Sequence, residues 1–248
     1  MKFIVVMLYI LLLFENTYAE NNATQFFNFF LSQNLDFGKL PSSLKSFFKK
    51  NDYTPLASYE SSHFVCCKGW RKHTYHTIYD GTVEEVFMAI TQTDARLAWN
   101  GNNSSFQFLF RTQEKQLLAA DKLYNSGANK IDAPIYPRAG DLVFLELMFV
   151  GKLTKIPVAF KIETMELASA KNSARLSFSY VKQNLTQGVQ NIYLYERLNN
   201  ERKRVTGVIH ETYFKSDSDF RDKVLYRHFH KIAIKNYHEK MNNRLNER

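Results

Sequence analysis

Hydrophobic and polar positions change period several times along the chain, and each change marks an element. Trp70 to Tyr79 is rich in Thr, Tyr and His and reads as a strand that closes at Asp80-Gly81. Thr82 then caps a helix, with Glu85 three residues on as its capping-box partner. Val83, Val86, Phe87 and Ile90 give that helix one apolar face. Thr93 or Asp94 caps a second, short helix through Trp99, stopped by Asn100-Gly101.

Strand patterns follow at Phe106–Arg111 and Gln116–Tyr124, then a loop with Gly and Pro from Asn125 to Ala139. Leu142–Val150 and Leu153–Met165 flank Gly151, and Pro157 predicts an edge or a bulge in the second. Ala174–Val181, Val189–Arg197 and Val205–Lys215 complete the series. Ile156, Val158, Phe160 and Ile162 share one face, opposite Lys155, Lys161 and Glu163. Leu176, Phe178 and Tyr180 oppose Arg175, Ser177 and Ser179. Such alternation predicts an antiparallel sheet with one wet and one covered face.

The cover is a long helix from about Asp219 to near Asn242. At 100° per residue, Leu225, Phe229, Ile232 and Ala233 fall on one side of it. Lys223, Arg227, Lys231, Lys235 and His238 fall on the other, predicting a solvent-facing basic stripe. The order is α+β, and a strongly curved sheet wrapped around the terminal helix is the economical packing.

Ahead of this unit, Phe26, Phe27, Phe29, Phe30 and Leu31 crowd one segment, and Leu44, Phe47 and Phe48 make a second cluster. Two short helices joined by the Gly38–Pro41 turn fit this pattern, lying on the main domain and covering apolar surface. The start of the chain differs again. Lys2 precedes a twelve-residue apolar run, Phe3 to Phe14, and Thr17 and Ala19 stand at the −3 and −1 positions of a cut after Ala19. That pattern is a secretory signal peptide, and the run is shorter than the roughly 20 residues a membrane span needs. The expected organisation is therefore a signal peptide over 1–19, an N-terminal helical extension over 20–67 and a ligand-binding domain over 68–248. The protein is expected to be secreted or periplasmic.

Composition narrows the partners. With 45% hydrophobic and 15% aromatic residues, a substantial core is assured and global disorder excluded. The formal charge of +9 favours anionic partners, such as phospholipid headgroups, acidic glycans or nucleic acid. The basic stripe carries its aromatics mainly on the covered side, which disfavours base stacking. Nucleic acid is thus not the expected partner. An anionic membrane surface met through Arg227, Lys231 and Lys235 is. Cys66 and Cys67 are adjacent, which leaves open a vicinal disulfide, an intermolecular bond or reduced thiols.

Candidate chemistry is sparse. No G-x-S-x-G elbow, P-loop or dinucleotide fingerprint occurs. His73 and His76 are three apart on a strand and face opposite sides; His63, Cys66 and Cys67 lack a distant second half. His228 and His230 project about 200° apart on a helix turning 100° per residue. No metal and no cofactor is expected. Polar residues on otherwise apolar strands are more informative. Glu146 shares a face with Leu142, Phe144 and Met148, and His210 shares one with Val208, Thr212 and Phe214. His210 with Glu146 would make a proton-transfer pair if both point inward.

The segment HTYHTIYDGTVEEVFMAITQTDARLAW, His73–Trp99, resembles the opening strand and paired helices of the START-like, or SRPBCC, helix-grip superfamily. Val86, Phe87, Ile90 and Trp99 occupy its usual apolar positions, and the amphipathic C-terminal helix resembles the grip. More loosely, FSYVKQNLTQGVQNIYLYE, Phe178–Glu196, resembles a strand pair of uncharacterised bacterial members. The likeness covers about residues 68–245. Residues 20–67 and the secretory signal depart from it.

This superfamily includes polyketide cyclases, lipid-transfer domains and plant pollen-allergen-like proteins. The resemblance implies a mostly apolar cavity between sheet and C-terminal helix that binds a hydrophobic small molecule or lipid. Its expected wall is Phe144, Met148, Ile156, Val158, Phe160, Ile162, Leu176, Phe178, Tyr180, Tyr193, Val208, His210, Leu225 and Phe229. Two alternatives stay open: a cyclase- or hydratase-type enzyme using His210 and Glu146 in the same cavity, and a secreted interaction protein whose cavity is vestigial.

Overall fold

The computed structural model describes residues 21–61, 69–125, 133–149, 154–182, 186–219 and 221–247. The signal segment and Cys66-Cys67 lie outside them. Helix α1 runs over 21–32 and α2 over Ser42–Lys50. Strand β1, Arg71–Tyr79, is followed by α3, Val83–Thr91, and α4, Ala95–Ala98. The remaining strands are β2 Ser104–Arg111, β3 Gln116–Ala119, β4 Leu142–Phe149, β5 Thr154–Ala168, β6 Ser173–Tyr180, β7 Thr186–Leu198 and β8 Arg204–Ser216. A π-helical turn, Arg221–Tyr226, leads into α5, Arg227–Asn246. Among the described residues no helix is long and apolar enough to cross a membrane.

The strands form one antiparallel sheet in the order β1-β8-β7-β6-β5-β4-β2-β3, which does not close. Local chemistry starts its helices as the sequence predicts. The Thr82 side chain accepts from Glu85 N–H while Glu85 reaches back to Thr82, completing the capping box ahead of α3. The Asp94 side chain accepts from Arg96 N–H and starts α4. Pro157 sits where β5 runs past the start of its pairing with β6 at Phe160, so among the described residues it has no strand partner on that side. The bulge comes later, between Ile162 and Thr164.

Each face of the sheet buries its own core. On one face, Leu145, Phe160, Ile162, Leu176, Phe178, Ile192, Leu194 and Val208 pack under α3, α4 and α5. On the other face, over β2 to β5, Phe108, Leu142 and Phe144 are covered by Phe26, Phe30, Phe47 and Phe48 of α1 and α2. Phe48 lies 4.5 Å from Phe26 and 5.6 Å from Phe144, ring to ring, and is fully buried. The sheet is thus dry on both sides at this end, against the expectation of one wet face. The second core supplies the cover that a minimal sheet-and-grip unit lacks. The curved antiparallel sheet, the helix pair after its first strand and the long terminal helix together are the helix-grip α+β architecture.

Candidate functional site

Strand parity decides which side chains can meet α5. Residues Phe178 and Tyr180 of β6, Gln190 and Ile192 of β7 and His210 of β8 all project from the α5 face. With Val158 and Phe160 of β5 and Leu145 and Leu147 of β4 they line a cavity of about 130 Å³. His230, Ile234, Tyr237 and Lys240 of α5 close it from above, and Trp99 with the Asn100–Ser104 loop forms its rim. Gly101 and Asn102 are exposed, so the mouth opens there. The Lys240 ammonium donates to the Asn100 carbonyl and ties α5 to that loop.

One wall of the cavity carries a continuous hydrogen-bond chain of six residues. Tyr79 Oη lies 2.7 Å from His238 Nδ1, and His238 Nε2 lies 2.9 Å from His210 Nδ1. His210 Nε2 is 2.9 Å from Gln190 Oε1, Gln190 Nε2 donates to Tyr180 Oη at 2.7 Å, and Tyr226 Oη donates to Tyr180 Oη at 2.5 Å. The donor inventory fixes the direction. The Gln190 oxygen accepts from His210 Nε2–H, so neutral His210 accepts at Nδ1 from His238 Nε2–H. Neutral His238 in turn accepts at Nδ1 from the Tyr79 hydroxyl. Every bond from Tyr79 to Tyr180 then points the same way.

Burial sets the charge state of this wall. Burial pushes the His238 imidazole down to about 3, and holds His210 well below its ordinary range with help from His238, His230 and His73. Burial and then His73 push His230 to about 3 as well. His73 is lowered by burial first and by Lys231 and Arg227 after it. Tyr180 is pushed up to about 12 by burial, against the hydrogen bonds from Tyr226 and Gln190. The wall is therefore neutral near pH 7, and among the described lining residues Lys240 at the rim is the one charged side chain.

The expected site residues separate into groups. Val158, Phe160, Phe178, Tyr180 and His210 meet at the cavity. Ile162, Leu176 and Val208 face the same side but are sealed in the packed core. Ile156 is half-buried at the open end of β5. Tyr193 alternates with Ile192 and lies on the opposite face, under the Arg175 guanidinium at 5.9 Å. Phe144 belongs to the second core, and Met148 shares its strand parity. The side chains of Leu225 and Phe229 lie outside the described residues.

Two further expectations fail on geometry. Glu146 is buried on the α2 side, where Ser43 Oγ donates to it at 2.5 Å and Lys155 Nζ stands 3.5 Å away. It cannot form a pair with His210 across the sheet. His238 does not extend the basic stripe; it is 1% exposed and held by Tyr79 and His210. A separation of seven residues returns a helix to within about 20° of its starting angle, so Lys231 and His238 are angular neighbours. Only the partners decide which of the two turns inward.

Residues that the pattern did not single out are Gln190, Tyr226, Tyr79 and Tyr237, and His230 entered only as a metal-ligand candidate. Gln190 shares its strand face on β7 with Ile192 and Leu194. His230, Ile234 and His238 recur at four-residue spacing on the face of α5 that meets the sheet. Among the described residues, no group of three or more His, Cys, Asp or Glu is placed to hold a metal.

No family model matches the chain, and no curated protein does. Its own element order and strand order are those of a helix-grip α+β fold. Solved structures similar to it include the major latex-like protein 151 of Panax ginseng (TM-score 0.44, 9% identity, covering 71% of this chain and 97% of that one). Others are Ara h 8.0201 (TM-score 0.43, 9% identity, 73% and 100%) and a norcoclaurine synthase of Thalictrum flavum with dopamine and hydroxybenzaldehyde (TM-score 0.42, 8% identity, 72% and 87%).

Proposed function

We propose that this is an exported protein that binds a small apolar or amphipathic molecule between its sheet and C-terminal helix. The observation that carries the reading is the cavity itself: apolar walls from β4 to β7, and polar groups gathered where β7, β8 and α5 meet. Its size bears on the ligand. A cavity of about 130 Å³ is comparable to the engineered void of ~150 Å³ that takes up benzene. That supports a compact, ring-sized group. A lipid would seat only one end of its chain there and leave the rest in the mouth beside Asn100–Ser104.

The signal-like start supports export, and the exposed side chains of Arg227, Lys231 and Lys235 support contact with an anionic membrane surface. A cyclase- or hydratase-type reaction in the same cavity is the second reading. It draws on the one-directional hydrogen-bond chain through His210 and Tyr180, and it has no place for Glu146.

Native mass spectrometry of the protein purified from its own host tests the binding reading. A small organic molecule should co-purify, and Phe178→Trp, which fills the cavity, should lose it while keeping the parent's melting temperature. A Phe178→Trp variant that keeps the adduct unchanged would place the ligand elsewhere. A parent that carries no adduct and takes up no apolar probe would leave the vestigial-cavity reading. N-terminal sequencing of the exported protein should start near Glu20; a start at Met1 would end the export argument.

A further inference from the structure

Four of the chain's seven histidines gather at one junction, where α5 crosses β1 and β8. His73 of β1 meets His230 of α5 edge to face at 5.9 Å, and His210 of β8 meets His238 of α5 the same way at 5.2 Å. Aromatic rings wedge both pairs. Tyr75 lies stacked on His238, 5.5 Å away at 16°, and Tyr226 on His230, 4.8 Å away at 16°. The second pair shares a hydrogen bond; the first does not. His73 Nδ1 and His230 Nδ1 are buried without a partner, beside the equally unmet Thr212 Oγ1. Buried polar atoms in native proteins nearly always have a partner, so these imidazoles gain hydrogen bonds to water when the junction opens.

Nothing placed among the four rings would balance a positive charge. Tyr75 and Tyr79 face them from β1, Tyr226 from the π-helical turn and Tyr237 from α5, all neutral near pH 7. The charged groups that act on His73 are Arg227 and Lys231, both cations. The carboxylates of the surrounding elements are engaged elsewhere. Asp222 of the π-helical turn accepts from Ser216 N–H at 2.9 Å, and Glu211 of β8 pairs with Lys72 on the other sheet face. Glu84 and Glu85 are exposed at the start of α3, Asp94 pairs with Arg96 ahead of α4, and Glu239 stands 3.5 Å from Lys235. Glu196 of β7 stands 3.6 Å from Arg204. Protons taken up here therefore meet only one another and two cations. The chain enters the junction through the π-helical turn Arg221–Tyr226, a rare break in the helical ladder at which helices bend.

We infer, building on the reading of the cavity as a binding site, that His73, His210, His230 and His238 form an acid-operated latch: their protonation lifts the cavity-closing turns of α5 off the sheet and releases the bound molecule. Those turns carry His230, Ile234 and Tyr237, which close the cavity from above. The sign follows from linkage. The closed junction binds protons on His230 and His238 only near pH 3, whereas an exposed histidine binds them near 6.5. Opening therefore takes up protons and is favoured as pH falls below about 6.5. Each histidine favours opening by up to about tenfold per pH unit, or about thirtyfold by pH 5. The device is local. Phe48 and its neighbours on the far face of the sheet carry no histidine, so acid has no such hold on the second core.

The test follows amide hydrogen exchange of the mature, full-length protein from pH 7 to pH 5, corrected for intrinsic rates. Exchange over 230–238 should become about a hundredfold faster or more while α3 and β6 stay protected. The logarithm of that opening should climb by about two or more per pH unit, one for each proton taken up. A slope below about one, or exchange that rises equally over α3 and β6, overturns the latch. His238→Gln should lose about thirtyfold of the gain at pH 5; should it fail to fold, the parent's slope decides. Fluorobenzene, which does not titrate, reports the cargo by fluorine NMR, and its affinity should fall by about tenfold or more between pH 7 and pH 5. Affinity that stays level while 230–238 opens overturns release. No binding of fluorobenzene at pH 7 overturns the cavity reading and release with it, and exchange still judges the latch.

Discussion

His210 on β8 and His238 on α5 share a 2.9 Å hydrogen bond between two imidazoles that burial holds neutral. The bond joins the sheet to the terminal helix, and its two outer ends are secured by Gln190 and Tyr79. Tyr79 is fully buried, so its hydroxyl has no water to fall back on. Tyr79→Phe should therefore leave His238 Nδ1 unpaired and lower stability by about 1–3 kcal/mol in urea unfolding. A change below roughly 0.5 kcal/mol, with the fold retained, would mean that this hydroxyl does not sustain the chain.

Acid should loosen the same interface. Lowered histidines bind protons less readily in the folded protein than in the unfolded chain, where they titrate near 6.5. The unfolded state therefore holds more protons below that value, and stability falls as pH drops from about 6.5 toward the folded values near 3 of His230 and His238. Each such histidine contributes up to about 1.4 kcal/mol per pH unit across that window. Asp141 acts in the opposite sense, because burial pushes its carboxyl up to about 6 and the folded state takes its proton first. Four lowered histidines outweigh it, so melting temperature should drop from pH 6.5 to 4.5. His238→Gln, which cannot titrate, should flatten the drop; a slope identical to the parent's would remove His238 from the account.

The sequence showed the strands, both helix caps and the alternation along each strand, because those depend on neighbours two to four residues away. Val158, Phe160, Phe178, Tyr180 and His210 were legible as inward residues for that reason. What it did not show depends on long-range pairing. Glu146 alternates with Phe144 as faithfully as His210 does with Val208, yet α2 covers one strand face and α5 the other. His238 sits at the border of two stripes, and the choice was made by Tyr79, 159 residues away in sequence. Gln190 was not marked at all, because its role depends on Tyr180 of β6 and His210 of β8.

The second core gives a prediction that separates stability from binding. Phe48 is fully buried among Phe26, Phe108 and Phe144, on the face of the sheet away from the cavity. Phe48→Ala should cost about 3–5 kcal/mol in urea unfolding, a large part of a typical domain's stability. Ligand affinity measured under fully folded conditions should stay within about twofold of the parent, since no cavity residue is touched. A cost under about 1 kcal/mol would mean that α1 and α2 rest on the sheet without supporting it.

The basic stripe can be tested against its own electrostatic footprint. Arg227, Lys231 and Lys235 are exposed one turn apart on α5, and Lys223 precedes them, paired with Asp219 at 2.8 Å. Lys235 stands 3.5 Å from Glu239, which offsets part of its charge, so Arg227 and Lys231 should dominate attraction to a surface. Changing Arg227, Lys231 and Lys235 together to Gln should release the protein from vesicles containing phosphatidylserine. Parental binding should fade as added salt shortens the Debye length below about 8 Å. The same two leading charges hold His73 down, after burial, so the triple variant should also raise the His73 titration in NMR. That shift certifies that the local field has changed even if vesicles are indifferent. A variant whose His73 titrates higher yet sediments with vesicles as the parent does would reduce the stripe to solubility and leave the membrane out of the function.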